Sequence, residues 1–171
     1  KRLKIMKNSN KNIDYIVVAS GGSTLLKATK KLKEKEWDDI NIIGVTLQAG
    51  TWDKYGEPDW DKIEKARNLG AKSLTCTHAL MGNVEGSIKD KFGGLPPVEL
   101  IAYTYYTFSQ GTKVCVEVSM SAVDAGLVPA GKEVVAVAGS DNGADTALKL
   151  KAVSTVDFFD LEIKELLCKP L

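Results

Sequence analysis

Tyr15-Ile16-Val17-Val18-Ala19-Ser20-Gly21-Gly22-Ser23-Thr24 is the stretch that decides the fold. A short apolar run that breaks into glycines reads as a central strand of an α/β sheet. The pattern returns where Val134 to Ala138 runs into Gly139-Ser140-Asp141-Asn142-Gly143-Ala144-Asp145. Ligands of open α/β sheets sit just beyond the carboxyl ends of the strands, so the two turns are expected to flank one site.

Outward from these turns, strand-like and helix-like segments alternate. Tyr15 to Ala19, Asn41 to Thr46, Lys72 to Thr77 and Glu133 to Ala138 are short runs rich in Val, Ile and Leu. Longer amphipathic stretches separate them, which is the βαβ pattern of a mostly parallel sheet. Thr24 to Glu36 puts Leu25, Leu26, Ala28 and Leu32 on one face and lysines on the other, with Ser23 placed to cap it. Trp60 to Leu69 repeats the arrangement, and Gly70 is placed to end it. Pro96-Pro97 opens a segment to Gln110 that is apolar almost all round, which predicts a buried helix closed by Gly111 and packed in part against another subunit. Val114 to Val118 alternates like a strand, yet Val114, Val118 and Ala122 also share a helical face, so periodicity leaves that segment open. Thr146 to Val153 follows the second turn too closely for a crossover and is expected to return antiparallel. Asp160 to Leu167 reads as a final helix, stopped by Pro170.

Composition narrows the function classes. A chain of 171 residues, 44% hydrophobic and 26% charged, suits one domain with a proper core. A formal net charge of +1 with interspersed signs offers no broad field for nucleic acid. The basic Lys1 to Lys11 stretch reads as a solvated helix end or terminus. No run approaches the roughly 18 apolar residues that span a bilayer, so a soluble, cytoplasmic protein without a membrane partner is expected. Cys76, Cys115 and Cys168 lack paired spacing, which argues against a disulfide framework or a metal site and for reduced, buried thiols. Arginine stands only at Arg2 and Arg67, so a phosphate would have to be held by backbone N–H groups, hydroxyls and lysine.

Few residues offer chemistry. Ser20, Gly21, Gly22, Ser23 and Thr24 would present amides at the positive end of a helix, as an anion requires, although glycine turns of this kind also arise for steric reasons alone. In the second turn Gly139 and Gly143 can take positive φ, while Ser140, Asp141, Asn142 and Asp145 can meet ligand hydroxyls or simply local amides. His78, the one histidine, follows Thr77 just past a strand end and suits a general base, a ring-stacking contact, or a ring bonded to nearby backbone. Glu117 among apolar neighbours needs a partner or a ligand, since an unpaired buried carboxylate costs several kcal/mol, roughly. Thr46, Ala49, Gly50 and Thr51 lie at and just past the end of the Asn41 to Thr46 run, near the same rim, where Trp52 is either packing or a stacking surface. No Ser-His-Asp order, nucleophile elbow or Walker loop is present.

The blocks Thr77-His78-Ala79-Leu80, Phe92-Gly93-Gly94, Phe108-Ser109-Gln110-Gly111, Lys113-Val114-Cys115-Val116-Glu117, Asp124-Ala125-Gly126-Leu127 and Gly143-Ala144-Asp145-Thr146-Ala147 resemble an archaeal and bacterial family of stand-alone pyruvate kinase C-terminal-like proteins. The resemblance runs from about Tyr15 to Pro170. It implies a three-layer α/β/α fold with a five-stranded mixed sheet whose last strand is antiparallel, and it makes Lys113 to Ala125 a helix. In the kinase, two loops at positions like Ser20 to Thr24 and Gly139 to Thr146 hold the phosphates of a sugar bisphosphate; the stand-alone members are similar to proteins that carry FMN at that edge. It therefore implies FMN or a related phosphorylated small molecule, its phosphate at Ser20 to Thr24, with Thr77, His78, Glu117 and the second turn lining the rest. Where relatives carry basic residues or histidine, this chain has Ser23, Leu47, Gln48, Gly86, Tyr105-Tyr106 and Asn142, so positive charge is thinned around the expected site. Two other classes stay open: a flavin-dependent redox enzyme or a hydrolase with His78 as base, and a regulatory or oligomeric subunit without ligand.

Overall fold

The computed structural model describes residues 13–140 and 143–171. They form one mixed sheet of six strands: β1 (Tyr15–Ala19), β2 (Asn41–Thr46), β3 (Lys72–Thr75), β4 (Glu133–Ala138), β5 (Thr146–Lys151) and β6 (Glu162–Cys168). Their order across the sheet is β3-β2-β1-β4-β5-β6. The first four run parallel, β5 returns antiparallel to β4, and β6 is antiparallel to β5. The helices are α1 (Ser23–Glu34), α2 (Trp52–Tyr55), α3 (Trp60–Asn68), α4 (Asn83–Phe92), α5 (Pro97–Tyr106) and α6 (Gln110–Asp124).

The period-two side-chain alternation of the strands feeds two cores. Ile16, Val18, Ile42 and Val135 pack on one face with Leu25 and Leu32 of α1 and Ala66 of α3. Val17, Ile43, Val45, Val134, Ala136, Leu148 and Leu150 pack on the other with Val116, Val118, Met120 and Ala122 of α6. Helices thus cover both faces of the sheet, as parallel strands require. A Cβ at Gly44 would run into the Leu25 side chain, so the missing side chain on β2 is what lets α1 settle onto the sheet.

Three expectations need correction. The sheet has a sixth strand where a closing helix is expected: 162–168 pairs with β5, with irregularities between Ala147 and Leu148 and between Lys149 and Leu150. Ile163, Leu166 and Leu167 keep the helical i, i+3, i+4 spacing, and the two irregularities are what set Leu166 opposite Leu148 and Ile163 opposite Leu150; the decision falls to β5, whose outer N–H and C=O groups would otherwise be bare. Lys151 then pairs with Glu162 at 2.7 Å, and with Lys164 it holds the Glu162 carboxyl down to about 2. Second, the apolar 97–106 helix is only partly buried. Ala102 is covered and Val98, Ile101 and Tyr105 lean on the core, while Leu100, Tyr103 and Tyr106 are exposed. It lies outside α6, and among the described residues nothing covers its outer side, where the expected subunit contact would fall; the correction is that Gly111 does not close it but belongs to α6. Third, Cys168 is exposed on β6, Cys76 is half-buried, and of the three thiols Cys115 is the buried one, its pKa pushed up by burial to about 12.

Candidate functional site

A cleft of about 1120 Å³ opens at the carboxyl end of the parallel strands. β1 and β4 are neighbours with Val18 opposite Val137, so the turns that follow them must emerge side by side. Ser20, Gly21, Ser23 and Thr24 line the cleft from one turn and Gly139, Ser140 and Gly143 from the other. Asp141 and Asn142 lie outside the described residues.

The first turn is built by its backbone. Gly22 has φ +124°, and a Cβ there would stand 2.8 Å from the Asp59 carbonyl oxygen, so the chain needs glycine at that point. The Ser20 hydroxyl accepts the Gly22 N–H at 2.9 Å and the Leu25 N–H at 3.0 Å. Ser20, rather than Ser23, is therefore the capping side chain; Ser23 already sits in the first turn of α1. Among the described residues the Ser23 and Thr24 amides have no hydrogen-bond partner, which is the ordinary state of N–H groups at a helix start.

The second turn is stitched to α6. Ser109 caps that helix by accepting the Thr112 N–H at 3.0 Å, and its hydroxyl lies 3.1 Å from that of Thr146. Thr146 donates to Asp145 Oδ1 at 2.6 Å, and Asp145 Oδ2 accepts the Ser140 N–H at 3.0 Å. Burial pushes the Asp145 carboxyl up, but these donors overcome it and hold it below its ordinary value. Asp145 therefore closes the turn instead of lining the cleft.

Under the cleft lies a cluster that joins the expected His78 and Glu117 to a residue not singled out in the sequence, Lys113. Lys113 and Glu117 stand one helical turn apart on α6, both almost fully buried (4% and 1% exposed), and pair at 2.8 Å. His78, 3% exposed, brings Nδ1 to within 3.2 Å of Glu117 Oε2 and Nε2 to within 2.9 Å of the Thr46 carbonyl oxygen. The Leu80 N–H donates to Glu117 Oε1 at 2.6 Å. Burial pushes the Glu117 carboxyl up, and the His78 ring and the Lys113 ammonium more than offset it, leaving the carboxyl below its ordinary value. All three side chains line the cleft. The His78 segment is held from outside as well: the Gln48 side chain accepts the His78 N–H at 3.2 Å and donates to Asn83 Oδ1 at 2.9 Å, while the Asn83 amide donates to the His78 carbonyl.

Other expected residues fall away from the opening. Thr46 is buried, its hydroxyl 2.7 Å from that of Thr75, and it meets the site only through the carbonyl that His78 bonds. Ala49, Gly50 and Thr51 form a short 3-10 turn, with the Thr51 hydroxyl donating to the Gln48 carbonyl. Trp52 donates its indole N–H to the Leu47 carbonyl and packs edge-on against Trp60, so it is packing rather than stacking surface. Thr77 is exposed beside the cleft wall, and Gly22 is buried behind it. Lys54, Tyr55, Lys89, Tyr103 and Tyr106 are further lining residues that sequence reasoning missed. Of these, Lys89 is paired with Glu99 at 2.6 Å. The described residues hold no cluster of His, Cys, Asp and Glu able to take a metal, and no helix among them is long and apolar enough to cross a membrane. No protein-family model matches the chain.

Proposed function

We propose that this chain binds FMN or a related phosphorylated small molecule in the cleft at the carboxyl edge of its sheet, as a domain of the pyruvate kinase C-terminal-like kind. The observation that carries the reading is the convergence of both glycine turns on one open cleft, with two amides at the start of α1 that have no partner among the described residues. The phosphate lies at Ser20, Gly21, Ser23 and Thr24, where N–H groups and the helix dipole favour an anion. The rest of the ligand lies toward Ser140 and the aromatic wall of Tyr55, Tyr103 and Tyr106. His78 serves as an orienting group under the cleft and not as a base, because both ring nitrogens are directed at protein acceptors. Copies of the chain associate through the exposed apolar side of α5.

Native mass spectrometry and an absorbance spectrum of gently purified protein test this together. The expected result is a bound phosphorylated ligand, with flavin absorbance if that ligand is FMN. A chain that stays empty and takes up neither FMN nor inorganic phosphate contradicts the reading and favours a subunit without ligand.

A further inference from the structure

The buried Lys113 ammonium is the strongest feature that the phosphate site leaves unexplained. An ammonium carries three N–H donors and accepts nothing, and it is rarely buried unless its charge is met. Here Glu117 is its acceptor among the described residues, and that carboxylate is shared. It also takes the Leu80 N–H and lies against His78 Nδ1. The His78 ring cannot relieve the positive charge, because its other nitrogen faces a carbonyl oxygen. The charged or titratable groups around the cluster are Lys113 and Glu117 on α6, His78 before α4, Cys76 just after β3, whose thiol is pushed up by burial and by Glu117, and Tyr106 on α5, whose pKa is raised by burial and by Glu117. None of them brings a second negative charge. The Lys113 ammonium therefore has hydrogen-bond donors to spare, its one acceptor among the described residues being the shared Glu117 carboxylate, and Lys113 lines the opening.

We propose that Lys113 is a second anion-receiving point, so that the cleft takes a ligand with two oxyanionic ends: a phosphate at the amides of Ser23 and Thr24 and a phosphate or carboxylate at the Lys113 ammonium. This rests on the phosphorylated-ligand reading for its first anchor and adds the second.

The chain's single histidine makes the test direct, since its ring nitrogens give one unambiguous pair of resonances. In protein labelled with nitrogen-15, inorganic phosphate and, separately, oxalate are titrated while the Ser23 and Thr24 amides, the Lys113 ammonium and the His78 ring are followed. The expected result is saturable shifts at Lys113 and His78 with at least one of the two anions; phosphate acting there points to a second phosphate, and oxalate alone to a carboxylate. Lys113→Met should abolish the His78 response and leave the amide response intact. The double variant Lys113→Met/Glu117→Gln removes both buried charges together and serves if the single variant does not fold. Amides that shift while Lys113 and His78 stay still overturn this proposal and spare the first site. Lys113 and His78 that shift while the amides stay still uphold the floor site and sink the first one. A His78 response that survives in both variants overturns the role of Lys113.

Discussion

Gly21 and Gly22 are neighbours with opposite demands on the chain. Gly22 sits at φ +124° against the Asp59 carbonyl, whereas a Cβ at Gly21 meets nothing within 4 Å. Gly22→Val is therefore a folding lesion, expected to cost on the order of 1–3 kcal/mol and to lower the melting temperature visibly. Gly21→Asp leaves the fold alone but sets a carboxylate among the amides of the turn. Calorimetry should find phosphate binding weakened at least about tenfold, or about 1.4 kcal/mol, with the melting temperature nearly unchanged; equal binding would remove the turn as an anion site. Glu117 offers a second test at this scale. Its carboxyl is lowered in the fold, so the stability it contributes is complete above the ordinary carboxylate value of about 4.3 and is lost as the pH falls through its lower native value. Glu117→Gln leaves the Lys113 charge buried without its counter-charge, at a cost of roughly 3–5 kcal/mol. Its unfolding free energy should vary less than that of the wild type across this acid range, and an identical acid profile would contradict the assignment.

Among the elements, β6 is the informative one. Its side chains are almost all exposed, so it contributes chiefly backbone hydrogen bonds to β5 and cover for that edge. A chain ending at Leu161 should keep its fold and its cleft, melt a few degrees lower, and aggregate with rising concentration as the bare β5 edge finds partners. Light scattering that stays flat would show that β6 guards nothing. This strand also marks the limit of what was legible. β1, β2, β4 and β5 could be read because apolar runs and glycine punctuation agree with burial. Glu162-Ile163-Lys164-Glu165-Leu166-Leu167 carries helical spacing, and an edge outside that stretch makes it a strand through two irregularities in register. The outer side of α5 is a related case: its apolar composition says that burial is favourable, and within the described chain only the side toward α6 is covered. In the site, both turns were legible from residue types. Lys113 was not, because a lysine four residues before a glutamate is the common mark of a solvated helix face, and only the packing of α6 between α5 and the sheet turns that pair inward. Its alternating apolar neighbours were the one available hint.

Across the whole molecule, the strand order brings the ends of β1 and β4 together, so one cleft receives a glycine turn from each, with the buried Lys113 beneath it. Scarcity of arginine does not leave the cleft without cations, since Lys113 lies in its floor and Lys54 and Lys89 also line it. The claim on which this account rests is that the ligand's phosphate is seated at the first turn. Parallel titrations of the labelled protein with FMN and with riboflavin, which differ in that phosphate alone, measure it most directly. The account predicts that FMN binds at least about tenfold more tightly, equivalent to about 1.4 kcal/mol, and that it alone shifts the Ser23 and Thr24 amides. Equal affinities, or a response confined to residues away from that turn, would contradict it.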